Sequence, residues 1–222
     1  MTRLIRRSAL VICMLAIAAP TGAQVVLVSQ SRSVSVDATV TIWGWWDSHS
    51  LSAPDFDRFE EDISAFSQGT WYSQAAGFAA QFSEIQTGRF SIHGSASAYA
   101  VESGWVEHGI GVGHGGSSFE VLFEVLEPIP FSLAGALAGS GASLQLDRDG
   151  VPYLSFDPDG NNEITVSEVG VLEPGSYNLT VNATASAYQS SSQDSSFDLD
   201  FFFDTPVATD EMAWGQVKAL YR

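Results

Sequence analysis

The chain has 222 residues, of which 45% are hydrophobic and 16% are charged, and its formal net charge is −17. This length suits one domain of up to about 200 residues and leaves little room for two. The acidic balance argues against nucleic-acid binding, which needs Lys and Arg to neutralise phosphates, and against contact with anionic membrane surfaces.

Residues 1–23 have the features of a secretory signal peptide. Three arginines lie within the first seven residues, residues 9–19 form an apolar run, and short side chains precede a cleavage site near Ala23. The apolar run is too short to span a bilayer, which takes about 20 residues. We therefore expect a secreted or cell-surface protein with no transmembrane segment in the mature chain.

Cleavage of this segment changes both the cysteine content and the charge. Cys13 is the only cysteine, and Ile12 before it is not the small residue that a lipoprotein anchor needs. The mature chain would therefore have no disulfide, no thiol catalysis and no Cys-ligated zinc. It would keep 6 basic and 26 acidic residues, a formal charge of −20.

From Val25 onward, apolar and polar residues alternate with the period of strands that bury one face. In the first half, strands are predicted at 25–28 and 34–42, joined by a polar connection at 29–33, and again at 71–84 and 90–101. In the 71–84 strand one phase is predicted to face the core, and it contains Tyr72, Ala76, Phe78, Ala80 and Phe82.

The second half repeats this pattern between turns rich in Gly, Pro and Asp. Strands are predicted at 119–126, 131–137, 143–146, 153–156, 163–171, 177–187 and 197–204. Such a series is typical of an antiparallel sandwich or barrel. We expect an all-β protein with a single antiparallel, jelly-roll-like β-sandwich over residues 24–205.

Two segments do not fit the strand pattern. Phe56, Phe59, Ile63 and Phe66 recur at spacings of 3, 4 and 3, which predicts a short helix near 55–66. Residues 206–222 are predicted to be a linker and a short C-terminal tail.

The segment 172–181 (LEPGSYNLTV), the Ser- and Ala-rich strands and the signal peptide together resemble bacterial exoproteins of the PEP-CTERM-associated type. The resemblance covers residues 25–204 and implies export and a jelly-roll-like β-sandwich. The sorting tail of those proteins, with its Pro-Glu-Pro motif, apolar helix and basic cluster, is absent from this sequence. The resemblance therefore implies no sorting route.

Residues 157–168 resemble the twelve-residue calcium loop of EF-hand proteins. Asp157, Asp159 and Asn161 occupy the first three oxygen-ligand positions, and Glu168 occupies the bidentate twelfth position. A hard cation such as Ca²⁺ needs this kind of oxygen set on a tightly turned backbone.

The predicted context of this loop differs from that of an EF-hand. Strands, not helices, are predicted on both sides, and in a strand Glu168 would lie about 16 Å beyond Glu163. Asn162 also stands where the EF-hand has Gly. Two interpretations remain, a hairpin turn without an ion, which we favour, or a Ca²⁺ site whose ligands are Asp157, Asp159, Asn161 and Glu163.

The aromatic run Trp43-Gly44-Trp45-Trp46 is the second candidate site. On a strand, Trp43 and Trp45 would share a face and Trp46 would point the other way. If exposed, the pair would form a flat platform for sugar rings. If buried, the rings would fill the core and seal its end, which is the interpretation we favour.

Other chemistry has weaker support. Glu107, His108 and His114 lie in a glycine-rich stretch, 107–116, that is predicted to be a flexible loop in preference to a metal site. No Gly-x-Ser-x-Gly motif occurs, and Ser, His and Asp are too numerous to select a triad. The two catalytic carboxylates of a glycosidase would be distant in the sequence, so no local motif would identify them.

The sequence predicts an exported, noncatalytic structural or binding module that acts at or outside the cell envelope and is stabilised by calcium if the 157–168 loop binds it. The alternative is a carbohydrate-binding module that uses Trp43 and Trp45, and a glycan-active enzyme is less favoured. The expected partner is a glycan or a cell-surface polymer, and nucleic acid is not expected.

Overall fold

The structure is a computed structural model that describes residues 24–41, 44–69, 73–102 and 110–204. The predicted signal peptide and the predicted C-terminal tail lie outside these ranges. The described residues form twelve strands and no helix, and so none that could cross a membrane. The strands are β1 (Val25–Val40), β2 (Trp46–Ser52), β3 (Phe59–Gln68), β4 (Gln74–Gln86), β5 (Arg89–Val101), β6 (Gly111–Val125), β7 (Ile129–Ala138), β8 (Ala142–Arg148), β9 (Val151–Phe156), β10 (Glu163–Leu172), β11 (Gly175–Tyr188) and β12 (Ser191–Phe203).

The strands form two six-stranded antiparallel sheets that pack as a β-sandwich, as the sequence predicted. Sheet A has the order β2-β1-β6-β11-β8-β9, and sheet B has the order β10-β7-β12-β5-β4-β3. The pairs β5–β12, β6–β11, β7–β10 and β8–β9 are nested along the chain, which is the connectivity of an eight-stranded jelly roll. The first four strands extend both sheets on the same side, β1 and β2 beyond β6, and β3 and β4 beyond β5.

One half of the sandwich interior is filled by aromatic rings. Phe90 lies edge-on to Phe123 and Phe203, with centroids 5.5 and 5.2 Å apart, and Phe123 stacks on Tyr177 at 5.5 Å. The Tyr177 hydroxyl donates a hydrogen bond of 2.8 Å to the Glu173 carbonyl oxygen, and burial raises its pKa. Large rings hold the two sheets apart here and anchor the fold.

In the other half of the interior, the glycines of β6 bring the two sheets close together. A Cβ atom at Gly113 would lie 2.3 Å from the Ala76 carbonyl oxygen, and one at Gly115 would lie 2.3 Å from the Phe78 carbonyl oxygen. The distance between sheets A and B is therefore shorter here than the usual separation of packed sheets, which is about 10 Å. The side chains between them are mostly alanines, at positions 75, 79, 96, 98, 100, 183, 185 and 187, together with Val34, Val36, Ala38 and Val40 of β1. The sandwich thus tapers from an aromatic half to a glycine and alanine half.

Alternation predicted several buried faces correctly. In β5 the apolar residues that alternate along the strand, among them Phe90, Ile92 and Ala96, are buried, and in β12 the same holds for Phe197 and Leu199. The polar connection predicted at 29–33 is wrong, because β1 continues through it with a register shift between Leu27 and Ser29. β2, which pairs with β1 at the edge of sheet A, was not predicted.

The helix predicted near 55–66 is wrong, since residues 59–68 form β3 and pair with β4. A helix would need the Asp55 and Asp57 carbonyl oxygens to accept hydrogen bonds from amides one turn later. Both carbonyls instead accept hydrogen bonds from the Arg32 guanidinium. The spacing of the aromatic residues is coincidental, because Phe59 is buried and Phe66 points outward.

The predicted core face of β4 is also wrong. Of the predicted phase only Ala76 is buried among the described residues, Phe78 is 50% exposed, and Tyr72 lies outside the described residues. Ala75, Ala79, Gln81 and Ser83 on the opposite phase are all buried. The interior faced by β4 is the narrow half of the sandwich, where backbone lies against backbone. Aromatic rings do not fit there, so the small and polar phase turns inward.

The glycine-rich stretch is only partly as expected. Residues 111–116 belong to β6 and are not a loop, while Glu107 and His108 lie outside the described residues. His114 is exposed on the outer face of sheet A, with Nδ1 2.9 Å from Ser186 Oγ.

Candidate binding site on the outer face of sheet B

Two adjoining grooves cross the outer face of sheet B. The larger has a volume of about 960 Å³ and the smaller about 560 Å³. They share Asp62, Ala80 and Ser95 and therefore form one continuous depression over β3, β4, β5 and β12. The larger groove extends to the end of β7 and to Asn161 in the β9–β10 connection.

Strand register explains why the face is concave. One row of residues crosses the sheet from β3 to β7, and each member pairs with the next on the neighbouring strand. The row consists of Asp62, Ala80, Ser95, Ser196 and Ala138. Side chains at paired positions lie side by side on the same face. The four residues after Asp62 are small, so the row makes a low floor.

The next row brings an aromatic ring to this floor. It runs from Ser64 through Phe78 and Ser97 to Asp194. Phe78 lines the larger groove, and half of its surface is exposed. An exposed phenyl ring beside serine hydroxyls offers both an apolar face and hydrogen-bonding groups.

Two further aromatic residues lie in the row beyond Phe78. Phe66 and Tyr99 flank Ala76, which pairs with both, and each ring is exposed. The three rings form an aromatic patch on the outer face of sheet B, over the narrow half of the sandwich. Exposed apolar patches of this kind often mark interaction sites.

The carboxylates that line the grooves are of two kinds. Glu60 forms an ion pair with Arg58, and Asp198 Oδ1 lies 2.7 Å from His93 Nδ1. Asp62 and Asp194 have no side-chain hydrogen bond or ion pair with any described residue. Two unpaired negative charges therefore face the larger groove.

His93 belongs to an arrangement that sequence reasoning did not select. Ser91 Oγ lies 3.2 Å from His93 Nε2, while His93 Nδ1 contacts Asp198. This is the order of groups in a serine nucleophile relay. However, Ser91 is only 6% exposed and lines neither groove, and Arg89 Nη2 lies 3.4 Å from its hydroxyl. We interpret Ser91 as a support that fixes the His93 ring at the groove wall.

Trp45, which was predicted to pack in the core, is on the surface. It is 79% exposed, so the core-packing interpretation is wrong for this residue, and the neighbouring Trp46 is 71% exposed. The Trp46 Nε1 atom donates a hydrogen bond of 2.8 Å to Asp37 Oδ2, and the Trp45 carbonyl oxygen accepts one from Ser67 Oγ. Neither ring lines the grooves. Trp43 lies outside the described residues.

The four predicted calcium ligands, Asp157, Asp159, Asn161 and Glu163, are all exposed and lie in or directly after the β9–β10 connection. The connection has strands on both sides, so the helices of an EF-hand are not present around it. Within the described ranges, no three His, Cys, Asp or Glu side chains gather closely enough to hold a metal ion. Asn161 is the one predicted ligand that also lines the larger groove.

The turn itself is closed by protein groups. Asn162 Nδ2 donates a hydrogen bond of 2.8 Å to the Asp159 carbonyl oxygen, and the Asn162 carbonyl accepts one of 3.1 Å from Gly139. Gly160 takes the left-handed conformation, with φ of +68°. These contacts fix the connection beside the end of β7, where it forms one wall of the larger groove.

Comparison with known protein families and with curated proteins finds no match for this chain.

Proposed function

We propose that this protein is an exported, noncatalytic binding module whose ligand is an extended glycan that lies across the outer face of sheet B. The observation that carries the proposal is the continuous depression with a floor of small residues and the exposed ring of Phe78. The signal-peptide pattern in residues 1–23 supports export to the medium or the cell surface.

The chemistry of the depression suits sugar rings. A phenyl ring can stack on the apolar face of a pyranose, and serine and amide side chains can exchange hydrogen bonds with its hydroxyl groups. Ser95, Ser97, Ser196 and Asn161 supply such groups in the larger groove. From β3 to β7 the floor spans four interstrand spacings, about 19 Å, which accommodates a short stretch of polymer.

The sheet B site predicts that Phe78→Ala weakens glycan binding by about tenfold, since loss of one stacked ring costs about 1–1.5 kcal/mol. A glycan array identifies a ligand for the wild type, and calorimetry then compares the variants. Phe78 is exposed, so the variant should keep the melting temperature of the wild type. Equal affinity of the wild type and Phe78→Ala would rule out the groove as the site.

A second candidate site is the surface around Trp45 and Trp46, favoured by the large exposure of both rings. Trp45→Ala serves as the matched variant, because it removes an exposed ring that does not line the grooves. A loss of binding in Trp45→Ala with none in Phe78→Ala would move the glycan site to this edge of sheet A.

Calcium binding by the 157–163 segment stays a prediction, tested by thermal melting. If the oxygens of the four predicted ligands bind Ca²⁺, a free Ca²⁺ concentration of about 100 times Kd stabilises the fold by about 2.7 kcal/mol and raises the melting temperature. Asp157→Asn should abolish that rise. Glu168→Gln is the control, because Glu168 lies within β10 and pairs with Leu133. No rise with Ca²⁺, or an equal rise in Asp157→Asn, would leave the connection as a turn without an ion.

A further inference from the structure

We infer that the glycan bound by the sheet B face carries protonated amino groups, as in a polymer of unacetylated amino sugars. This inference rests on the proposed glycan-binding function and names the class of ligand. It is drawn from the charges in the larger groove, which are unpaired, and from the position of the Phe78 ring among them.

Asp62 and Asp194 are the unpaired charges. Both line the larger groove, and no side-chain partner occurs for either among the residues that the structure describes. They lie on β3 and β12, three interstrand spacings apart across the sheet and two residues apart along the strands, which gives a separation of about 16 Å. No lysine or arginine lies among the described residues that line the two grooves.

Neighbouring carboxylates show the difference. Glu60 is neutralised by Arg58, whose guanidinium also lies 4.6 Å from the centre of the Phe82 ring, and Asp198 is bound to His93. Glu60 and Asp198 thus have partners, whereas Glu61 in the smaller groove, Asp194 in the larger groove and Asp62, which lines both, have none among the described residues. A cationic ligand would neutralise the Asp62 and Asp194 carboxylates.

The Phe78 ring lies between the two carboxylates. Its row ends at Asp194, and Ala80, two residues further along β4, pairs with Asp62. An ammonium group beside a phenyl ring is attracted by the face of the ring, and its hydrogen bonds to a carboxylate are charge-assisted. A neutral sugar could donate hydroxyl hydrogen bonds to Asp62 and Asp194 but would leave their charges uncompensated, and an acidic sugar would be repelled.

A sugar polymer fits this face better than a basic peptide. Sheets bind extended peptides along an exposed edge strand, where unpaired backbone groups are available. The depression crosses the face of β3, β4, β5 and β12, and only β3 is an edge strand, so a ligand that lies across these strands cannot pair with their backbone groups along its length. What the face offers instead is a ring, hydroxyl groups and carboxylates, which match the C–H face, the hydroxyls and the amines of an amino sugar.

Calorimetry with two hexasaccharides of the same linkage tests the inference, one of glucosamine and the other of N-acetylglucosamine. The wild type should bind the glucosamine hexamer about tenfold more tightly than the acetylated one, with an affinity that falls as salt rises. Asp62→Asn/Asp194→Asn should lose about tenfold in affinity for the glucosamine hexamer. Glu120→Gln/Glu124→Gln removes two carboxylates from the outer face of sheet A and should retain wild-type affinity.

The outcomes separate this inference from the proposed function. Equal or tighter binding of the acetylated hexamer, through the same Phe78-dependent site, would overturn the amino-sugar inference and leave the glycan module standing. Binding to neither hexamer nor to any other glycan would overturn both. Binding of a lysine hexamer as tight as that of the glucosamine hexamer would show a basic peptide partner and overturn the sugar class.

Discussion

The Gly113→Ala variant is expected to unfold about 6–12 °C below the wild type, which corresponds to about 3 kcal/mol of lost stability. The added Cβ would lie 2.3 Å from the Ala76 carbonyl oxygen and 2.9 Å from the Tyr99 carbonyl oxygen. Both oxygens belong to strands of sheet B that are paired on both sides, so neither can move without the sheet. The methyl group would therefore force the two sheets apart.

Gly116→Ala is the matched control on the same strand. Its Cβ would point to the outer face of sheet A and meet the Ser35 hydroxyl at 3.1 Å, a side chain that can rotate away. We expect its stability to lie within about 0.5 kcal/mol of the wild type. Melting followed by circular dichroism distinguishes the two variants. A Gly113→Ala protein as stable as Gly116→Ala would contradict the close approach of the sheets.

The double variant Gly113→Ala/Gly115→Ala adds a further expectation. The Cβ of residue 115 would lie 2.3 Å from the Phe78 carbonyl oxygen. Once the sheets have separated to admit one methyl group, the second costs less, so the combined loss of stability should be smaller than the sum of the single losses. Because the same β4 backbone carries Phe78 on its outer side, these variants should also weaken glycan binding.

The narrow half of the sandwich also shows what the sequence could and could not predict. Alternation identified the core face of β12, since Phe197, Leu199 and Phe201 share a phase and all are buried. The same rule failed for β4, where it placed Phe78 inside. How much volume an inward side chain can have depends on the opposite sheet, which is set here by Gly113 and Gly115. That information is absent from the sequence of β4 itself.

The groove was not predictable for a related reason. Its floor comes from Ala80, Ser95, Ser196 and Ala138, which are ordinary residues in four separate strands. They become a concavity only when the ladders bring small side chains into one row. Sequence analysis selected the tryptophan run as a candidate glycan platform instead, and Trp45 is exposed but lies outside the depression.

The second large effect is expected at Arg32, where Arg32→Met should cost about 3–5 kcal/mol of stability. The Arg32 side chain is only 1% exposed, and all five of its N–H groups have acceptors. Nε donates to Gln30 Oε1, Nη1 to the backbone and hydroxyl oxygens of Ser83, and Nη2 to the Asp55 and Asp57 carbonyls. Burial lowers the pKa of the guanidinium, and the Asp55 and Asp57 carboxylates partly offset this.

These bonds hold the connection that carries the chain from β2 at the edge of sheet A to β3 at the edge of sheet B. Methionine would fill much of the space but leave the buried Ser83 oxygens without these donors, at a cost of about 1–3 kcal/mol, and would release the part-buried Asp55 and Asp57 carbonyls. Arg32→Lys keeps the charge but supplies three donors in place of five, so its stability should lie between those of Arg32→Met and the wild type.

Arg89→Met is the control for the loss of a cation, because Arg89 is exposed and its ion pair with Asp200, 2.7 Å long, should contribute at most about 1 kcal/mol. Urea unfolding gives the free energies, and hydrogen exchange locates the change. In Arg32→Met, amides in residues 53–58 should exchange faster than in Arg89→Met, because their segment loses its attachment. Equal stability of the two variants, with unchanged exchange at 53–58, would show that the connection is held by other contacts. A specific loss there would explain why this segment forms no helix, since Arg32 binds the carbonyl oxygens that a helix would need.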